Sequence, residues 1–424
     1  MSTTVKWAAV VLGLMLVVGL WLSLRPAPEF ASRPALPPGN VAPQISPTWD
    51  CAVLLAPDGT LWAWGGRLFG LEGSLPTRTL TEVPQRIGTD SDWVRVSANW
   101  NQTLALKADG SLWGWGWNTC GGLTTTSTNW VGNPHRIGRD NDWSDVRAGA
   151  GQVLALKRDG TLWTWGQNNY GQVGDGTTSN RFIPFQVTTS RQWKAIAAGH
   201  FNSYAIARDG TIWGWGLCPL GVGRGANDLV PALLDPGSNW VAISSSDYCL
   251  LALRNDGTLW VYGQNAGSVA PAYATNYTTA FVQIGSETNW SAGWPSQRGF
   301  VGRQKDGSWW ASDTDPVLAP LVRTGTPGNT RGVRRVSDEF DPLAIGLGHA
   351  TVVLTRDGAL WSVGERLGVP GRLTLMDRLQ GLISRISGSA VGNQPSPVVD
   401  SHFRLIWRLP PPATNAPAPV LINR

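Results

Sequence analysis

The chain has 424 residues, of which 15% are charged, against about 25% in an ordinary soluble domain, while 51 Gly and 29 Pro work against a helix-rich fold. An apolar fraction of 42% supports a large core and excludes disorder of the whole chain, and 34 basic against 29 acidic residues, with no polybasic run, give no argument for nucleic acid. The 25 Trp outnumber the 6 Tyr and 9 Phe together, so the chain uses its costliest side chain systematically.

From the N-terminus, Trp7 to Leu24 carry no charge and are bounded by Lys6 and Arg25, a stretch just long enough to cross about 30 Å of hydrocarbon as a helix. Residues 25–29 lack a small-x-small cleavage site and contain two Pro, so residues 1–25 read as an uncleaved signal anchor and transmembrane helix. The membrane is then one partner, and the remainder of the chain is expected on the extracytoplasmic side, periplasmic or at the cell surface. Residues 26–47 hold seven Pro and no periodicity, which reads as a semi-rigid spacer. Residues 410–424 form a second Pro-rich piece, a tail outside the fold, leaving 48–409 as the folded domain.

Within that domain the pattern Asp-Gly-[Thr/Ser/Ala]-[Leu/Ile/Trp]-Trp begins at Asp58, Asp109, Asp159, Asp209, Asp256, Asp306 and Asp357, at intervals of 47 to 51 residues. An alternating apolar run precedes each copy, as in Thr103-Leu104-Ala105-Leu106-Lys107, and the Asp-Gly supplies a tight hairpin turn. Trp93, Trp143, Trp193, Trp240 and Trp290 each stand sixteen residues before the next Asp and open a further short strand. Seven units of three to four strands, with no helical periodicity between them, predict an all-β, seven-bladed propeller; an open β-solenoid is the competing geometry, with coils usually shorter than these units. In Leu112-Trp113-Gly114-Trp115 the two indoles share one face and the small or aliphatic residues the other, so the bulky face of one blade is predicted to sit on the small-residue face of the next. Ile383 to Ser387 and Phe403 to Trp407, beyond the seventh copy, are predicted to pair with an incomplete first copy near Ile45, with a degenerate eighth unit as the alternative.

The unit running from Trp193 to Gly216, with Gly166-Gln-Asn-Asn-Tyr-Gly171-Gln-Val-Gly174, resembles the regulator of chromosome condensation repeat family in its bacterial, Trp-rich form. That resemblance implies a seven-bladed β-propeller. Copies 5 to 7 are eroded, and the His frequent in the family seven residues before the Asp is replaced by Cys51, Gln102, Gln152, Asn202, Cys249, Gly299 and Ala350. Eukaryotic members include a nucleotide exchange factor for a small GTPase that binds chromatin, a role an external, anchored propeller would not share. Secreted bacterial members inhibit β-lactamase through an aromatic-rich face, which implies an interaction module as the functional class.

Catalytic and cofactor motifs are missing. His135, His200, His349 and His402 fall at four repeat phases and the Cys lack paired spacing, so no metal is predicted. Each Asp-Gly offers a single carboxylate at a turn, too few oxygens for calcium. Asp90 with Asp92, and Asp140 with Asp142, imitate a glycosidase pair but recur at one phase, which favours a structural role. Cys51 and Cys249 share a phase three blades apart and are not expected to bond each other. Sixteen Trp are locked to the repeat, two to the anchor and two, Trp309 and Trp407, to strands. Trp49, Trp100, Trp117, Trp130 and Trp294 remain, in segments read as connections, and they are the predicted binding residues. The expected function is that of a membrane-tethered extracytoplasmic module that binds another protein, with no enzyme activity and no cofactor; binding of a carbohydrate or cell-wall glycan through the same Trp is the alternative.

Overall fold

A computed structural model describes residues 39, 41–48, 51–65, 81–100, 102–118, 120–123, 130–187, 190–217, 227–247, 249–264, 277–296, 299–312, 315, 318–322, 332–337, 341–348, 350–364 and 400–409. Residues 1–38, with the segment read as an anchor, lie outside that set, as do the tail and Ile383 to Ser387. Among the described residues no helix is long and apolar enough to cross a membrane.

Seven antiparallel four-stranded sheets form the blades. Blade 1 holds β1 (Gln44–Pro47), β2 (Cys51–Leu55), β3 (Leu61–Gly65) and β4 (Thr81–Arg86); blade 2 holds β5 (Trp93–Asn99), β6 (Gln102–Lys107), β7 (Leu112–Trp117) and β8 (Trp130–Arg136). Blade 3 holds β9 (Trp143–Ala148), β10 (Gln152–Lys157), β11 (Leu162–Gly166) and β12 (Arg181–Gln186); blade 4 holds β13 (Trp193–Ala198), β14 (Asn202–Ala207), β15 (Ile212–Gly216) and β16 (Asp228–Asp235). Blade 5 runs through β17 (Trp240–Ser245), β18 (Cys249–Arg254), β19 (Leu259–Gln264) and β20 (Tyr277–Gln283). Blade 6 runs through β21 (Trp290–Pro295), β22 (Phe300–Gln304), β23 (Trp309–Ser312) and β24 (Val333–Arg335), and blade 7 through β25 (Pro342–Leu347), β26 (Ala350–Thr355), β27 (Ala359–Gly364) and β28 (Asp400–Arg408).

The propeller predicted from the repeat is present, and its ring closes differently from expectation. Ile45 pairs with Leu54 inside blade 1, so the propeller starts within the stretch read as spacer. β28 pairs with β27, completing blade 7. β1 already occupies the inner edge of β2, whereas the edge of β27 was open, so no strand is shared between the two terminal blades. Blade 1 instead meets blade 7 through side chains: Ala52, Leu54 and Trp64 cluster with Ala344, Val352, Leu354 and Leu360.

The blades pack as the alternation predicts. Trp143 and Trp165 of blade 3 are buried against Leu104, Leu106 and Leu112 of blade 2, and Trp193 and Trp215 of blade 4 against Leu154, Leu156 and Leu162 of blade 3. The opening Trp of five blades also meets the Trp four residues after the turn Asp edge to face, at 5.9 to 6.4 Å between ring centres.

The Asp-Gly-Thr-x-Trp pattern is a hydrogen-bond relay. In blade 4 Thr211 donates its N–H and hydroxyl to Asp209 Oδ1 at 2.9 and 2.6 Å, and the Thr211 hydroxyl accepts the Trp213 indole N–H at 2.9 Å. Blades 1 to 6 share the indole-to-hydroxyl bond, at 2.7 to 3.0 Å. In blade 7, where Ala359 lacks the hydroxyl, Thr355 donates to Asp357 Oδ1 from the other strand at 2.5 Å. The Gly has two reasons to be there. Gly210 has φ +86°, and a Cβ on it would stand 2.0 Å from the Ser238 carbonyl oxygen, because the next blade crosses there to let the Trp240 N–H reach the Gly210 carbonyl at 3.2 Å.

Gly210→Ala is accordingly expected to cost about 2 kcal/mol or more, combining left-handed strain with the clash, whereas Gly88→Ala, also at positive φ but with open space around it, should cost about 1 kcal/mol; urea unfolding of both variants checks the difference. Hydroxyl and amide donors at Ser111, Thr211, Thr258 and Ser308 hold the carboxyls of Asp109, Asp209, Asp256 and Asp306 below the ordinary 3.8. Depressed carboxyl pKa values give stability that is complete above the unfolded value and lost as pH falls through the folded one, so the urea midpoint should drop below about pH 4, with a shallower drop in Asp209→Asn.

Candidate functional site: the loop face

Strands alternate in direction, so every Asp-Gly hairpin lies on one face of the ring, and the turns between first and second strands, with the ends of the third and the starts of the fourth strands, lie on the other. On the hairpin face the acidic pairs have a clear role. Lys107 Nζ sits 2.7 Å from Asp90 and 3.2 Å from Asp92, over the rings of Trp93 and Trp113, and Lys157 repeats this with Asp140, Asp142, Trp143 and Trp163. Burial works against the charge on each lysine, but the carboxylates outweigh it and raise both pKa values. The pairs clamp a cation on the tryptophans and do not flank an open cleft.

On the loop face, the turn of blade 2 holds Trp100 at φ +48°, with 42% of its surface exposed. Its ring meets His200 of blade 4 edge to face at 4.8 Å, passing over blade 3, where the Ala150 N–H donates to the His200 carbonyl at 3.2 Å. His200 packs on Phe201 at 4.0 Å, Phe201 on Tyr170 of blade 3 at 4.7 Å, and His200 Nδ1 lies 3.7 Å from Asp247 of blade 5. Trp117 ends β7, is 43% exposed and pairs in register with the half-buried Trp130 that starts β8. Phe182 and Ile183 at the start of β12 and Val230 at the start of β16 are exposed by more than half, so apolar side chains gather at the loop-face ends of blades 2, 3 and 4. Gly121, in the blade 2 loop, leaves room for the Phe182 ring, which a Cβ there would strike at 2.0 Å.

Of the predicted residues, Trp100, Trp117 and Trp130 thus share the loop face of one blade. Trp49 lies outside the described residues. Trp294 belongs to a strand and not to a connection: it is the fifth of the six residues of β21, lines the central channel and stacks on Trp309 at 5.5 Å. The register shifts between Trp290 and Ala292, and beyond that shift Trp294 lines the channel while Trp290 stays buried between blades. His200 and Asp247 were missed, although both stand nine residues before a repeat Asp, the phase of Trp49 and Trp100. Reading that phase across all seven copies would have found them.

Polar residues at the replaced family position tie blade to blade. The Gln102 amide donates to the Gly149 and Gln152 carbonyls at 3.0 Å, and the Gln152 amide to the Gly199 carbonyl at 3.2 Å. Cys249 is buried, and burial pushes its thiol up to about 12. The blade 3 loop folds around buried Asn168, whose Oδ1 accepts the Val173 N–H at 2.9 Å while its amide reaches Asp175 and the Thr177 and Ser179 carbonyls at 3.0 to 3.1 Å. Burial raises the Asp175 pKa, but Arg181 and Thr177 outweigh it and hold the carboxyl below its usual value. Among the described residues no three His, Cys, Asp or Glu converge as metal ligands.

Family models described as Regulator of chromosome condensation (RCC1) repeat match residues 159–206 in one case and 93–121 with 143–172 in another. Within those stretches the chain carries regulator of chromosome condensation repeats. The matched stretches are blades 2 to 4, which carry the loop-face aromatics. Human WBSCR16 resembles the chain with a TM-score of 0.61 and 18% identity over 76% of this chain and 91% of that one. Yeast RCC1 (Prp20) bound to Kap60 gives 0.53 and 18%, covering 61% of this chain and 64% of that one, and Prp20p from Saccharomyces cerevisiae gives 0.52 and 18%, covering 59% and 66%. At this identity the likeness is one of fold, and the chain spans under two thirds of the yeast proteins. No curated protein sequence matches it. RCC1-repeat propellers are in general scaffolds for interaction with proteins.

Trp100 holds a left-handed backbone that costs a non-Gly residue free energy. Trp100→Gly is therefore expected to change stability by under about 1 kcal/mol, since the relieved strain offsets the lost contact with His200; a midpoint loss several times larger in thermal unfolding would show that the indole is a packing element.

Proposed function

We propose that this propeller binds another protein through the loop face of blades 2 to 4. The observation that carries this is the gathering of exposed Trp100, Trp117, Phe182, Ile183 and Val230 on three consecutive blades. Rigid aromatic and branched side chains open to water on one face make a surface that gains from being covered. The structural neighbours support the class: yeast RCC1 is described bound to Kap60, and Prp20p as binding Gsp1p and histones. Residues 1–25 act as a membrane anchor and hold the propeller on the extracytoplasmic side, where a cell-envelope enzyme held in check by the aromatic face is the fitting kind of partner. The apolar composition of residues 7–24 supports the anchor.

Crosslinking from intact membranes, followed by mass spectrometry, is expected to recover a protein whose yield falls about tenfold with Trp100→Ala and Trp117→Ala together. Unchanged yield in that double variant, or retention on a glycan array with loss by the same variant, would count against a protein partner. A reporter fused after Pro38 should be active only outside the cytoplasm.

A further inference from the structure

The seven inner strands enclose a central channel of about 750 Å³. Register with the second strands puts one residue per blade at each level. At the level of Leu55, Leu106, Leu156 and their equivalents stand Gln44, Arg95 and Asp145 on blades 1 to 3, and only Ala195, Ala242, Ala292 and Ala344 on blades 4 to 7. At the next level Ser46 and Ser97 precede Arg147, with Trp294 across the ring on blade 6.

Several of these polar groups are explained by the fold. The inner edge of each first strand has backbone groups without a neighbouring strand, and Gln44 accepts the Val96 N–H at 3.2 Å, Ser46 the Ala98 N–H at 2.8 Å, and Ser97 the Ala148 N–H at 3.0 Å. The two arginines are not so explained. Arg95 Nε and Arg147 Nη1 both lie on Asp145 Oδ1, at 3.1 and 3.0 Å, so two guanidinium groups share one carboxylate oxygen and one positive charge is left over. Arg303 and Asp247 also line the channel, one charge of each sign, with Arg303 over the Trp309 ring and Asp247 3.7 Å from His200. Among the described residues no group accepts from the two Nη atoms of Arg95 or from Nε and Nη2 of Arg147, though about a third of each side chain is open to the channel. Burial, partly offset by Asp145 and reinforced by Arg95, lowers the Arg147 pKa, a cost that a second anion would relieve. Ser245, on the channel wall of blade 5, has a buried hydroxyl with no partner among the described residues.

We propose that the channel holds a small organic oxyanion, a carboxylate or a phosphate, between Arg95 and Arg147. Each guanidinium offers planar, charge-assisted N–H donors to an oxyanion, and the Ala residues of blades 4 to 7, with Trp294 on blade 6, leave room for an apolar body across the ring. The site needs no partner protein; Trp100 and His200 line the mouth of the same channel, but Arg95 and Arg147 belong to the inner strands and not to the exposed aromatic surface, so either can fail without the other.

Calorimetric titration of the full chain at low ionic strength with citrate, and separately with inorganic phosphate, tests it. One equivalent of at least one anion is expected to bind, citrate alone marking a carboxylate site and phosphate alone a phosphate site. Arg147→Gln and Arg95→Gln should each weaken binding about tenfold, the scale of a lost charge-assisted pair. Asp145→Asn should strengthen it, because the competing carboxylate is neutralised while its oxygen remains; a variant that merely damaged the fold would not do this. Binding of neither anion, or weakening in Asp145→Asn equal to that in Arg147→Gln, overturns the proposal.

Discussion

Every blade is a single sheet and has no core of its own, so the molecule depends on one contact: the indole face of a blade lying on the leucine face of the blade before it. Trp165 on Leu104 and Leu112, Trp215 on Leu154 and Leu162, and Trp64 on Leu354 and Leu360 are the same contact at different steps around the ring. Each indole removes a large apolar area from water, of the order of 150 to 250 Å² for an aromatic side chain. Because the last such contact joins blade 7 to blade 1, the ring is closed by packing between complete blades, and no exchanged strand is needed.

The turn relay serves that contact. Asp, hydroxyl and indole N–H form a short chain that satisfies the polar end of a half-buried Trp at the hairpin, so the ring can be used for packing without stranding its donor. The Gly beside the Asp lets the next blade's backbone come close enough to bond to it. Lysines held by paired aspartates over the same tryptophans complete the hairpin face in blades 2 and 3. That face is built from repeat-encoded parts, and this leaves the loop face and the channel as places where blades differ from one another.

Those differences follow a gradient. Blades 2 to 4 keep the most regular repeat, match the family models, and carry the exposed aromatics; blades 5 to 7 are eroded in sequence yet keep the four strands. A blade can lose motif residues and still pack, as blade 7 does with Ala359 in place of the hydroxyl and Thr355 supplying the bond from the adjacent strand. Within the channel the same logic holds: Ala suffices at four positions of one level, so Arg95 and Asp145 at that level are additions to what the ring requires.

Blade number, the role of the Asp-Gly turns and the two-faced character of the Trp strands could be read from the sequence, because each is a local pattern repeated at a fixed interval and each copy meets the same neighbour. Exposed Trp100 and Trp117 were also legible, as aromatics outside the locked phases. What the sequence could not settle was which terminal segment fills which open edge, since an edge strand has little pattern of its own, and β1 is only four residues, preceded by Pro43 and ending in Pro47. Nor could it show that Trp294 faces the channel, that His200 meets Trp100 across an intervening blade, or that Arg95 and Arg147 converge on Asp145. Those arrangements bring together residues from different blades, or set a side chain against the channel, and their geometry exists only once the ring's curvature carries the inner strands around a common axis.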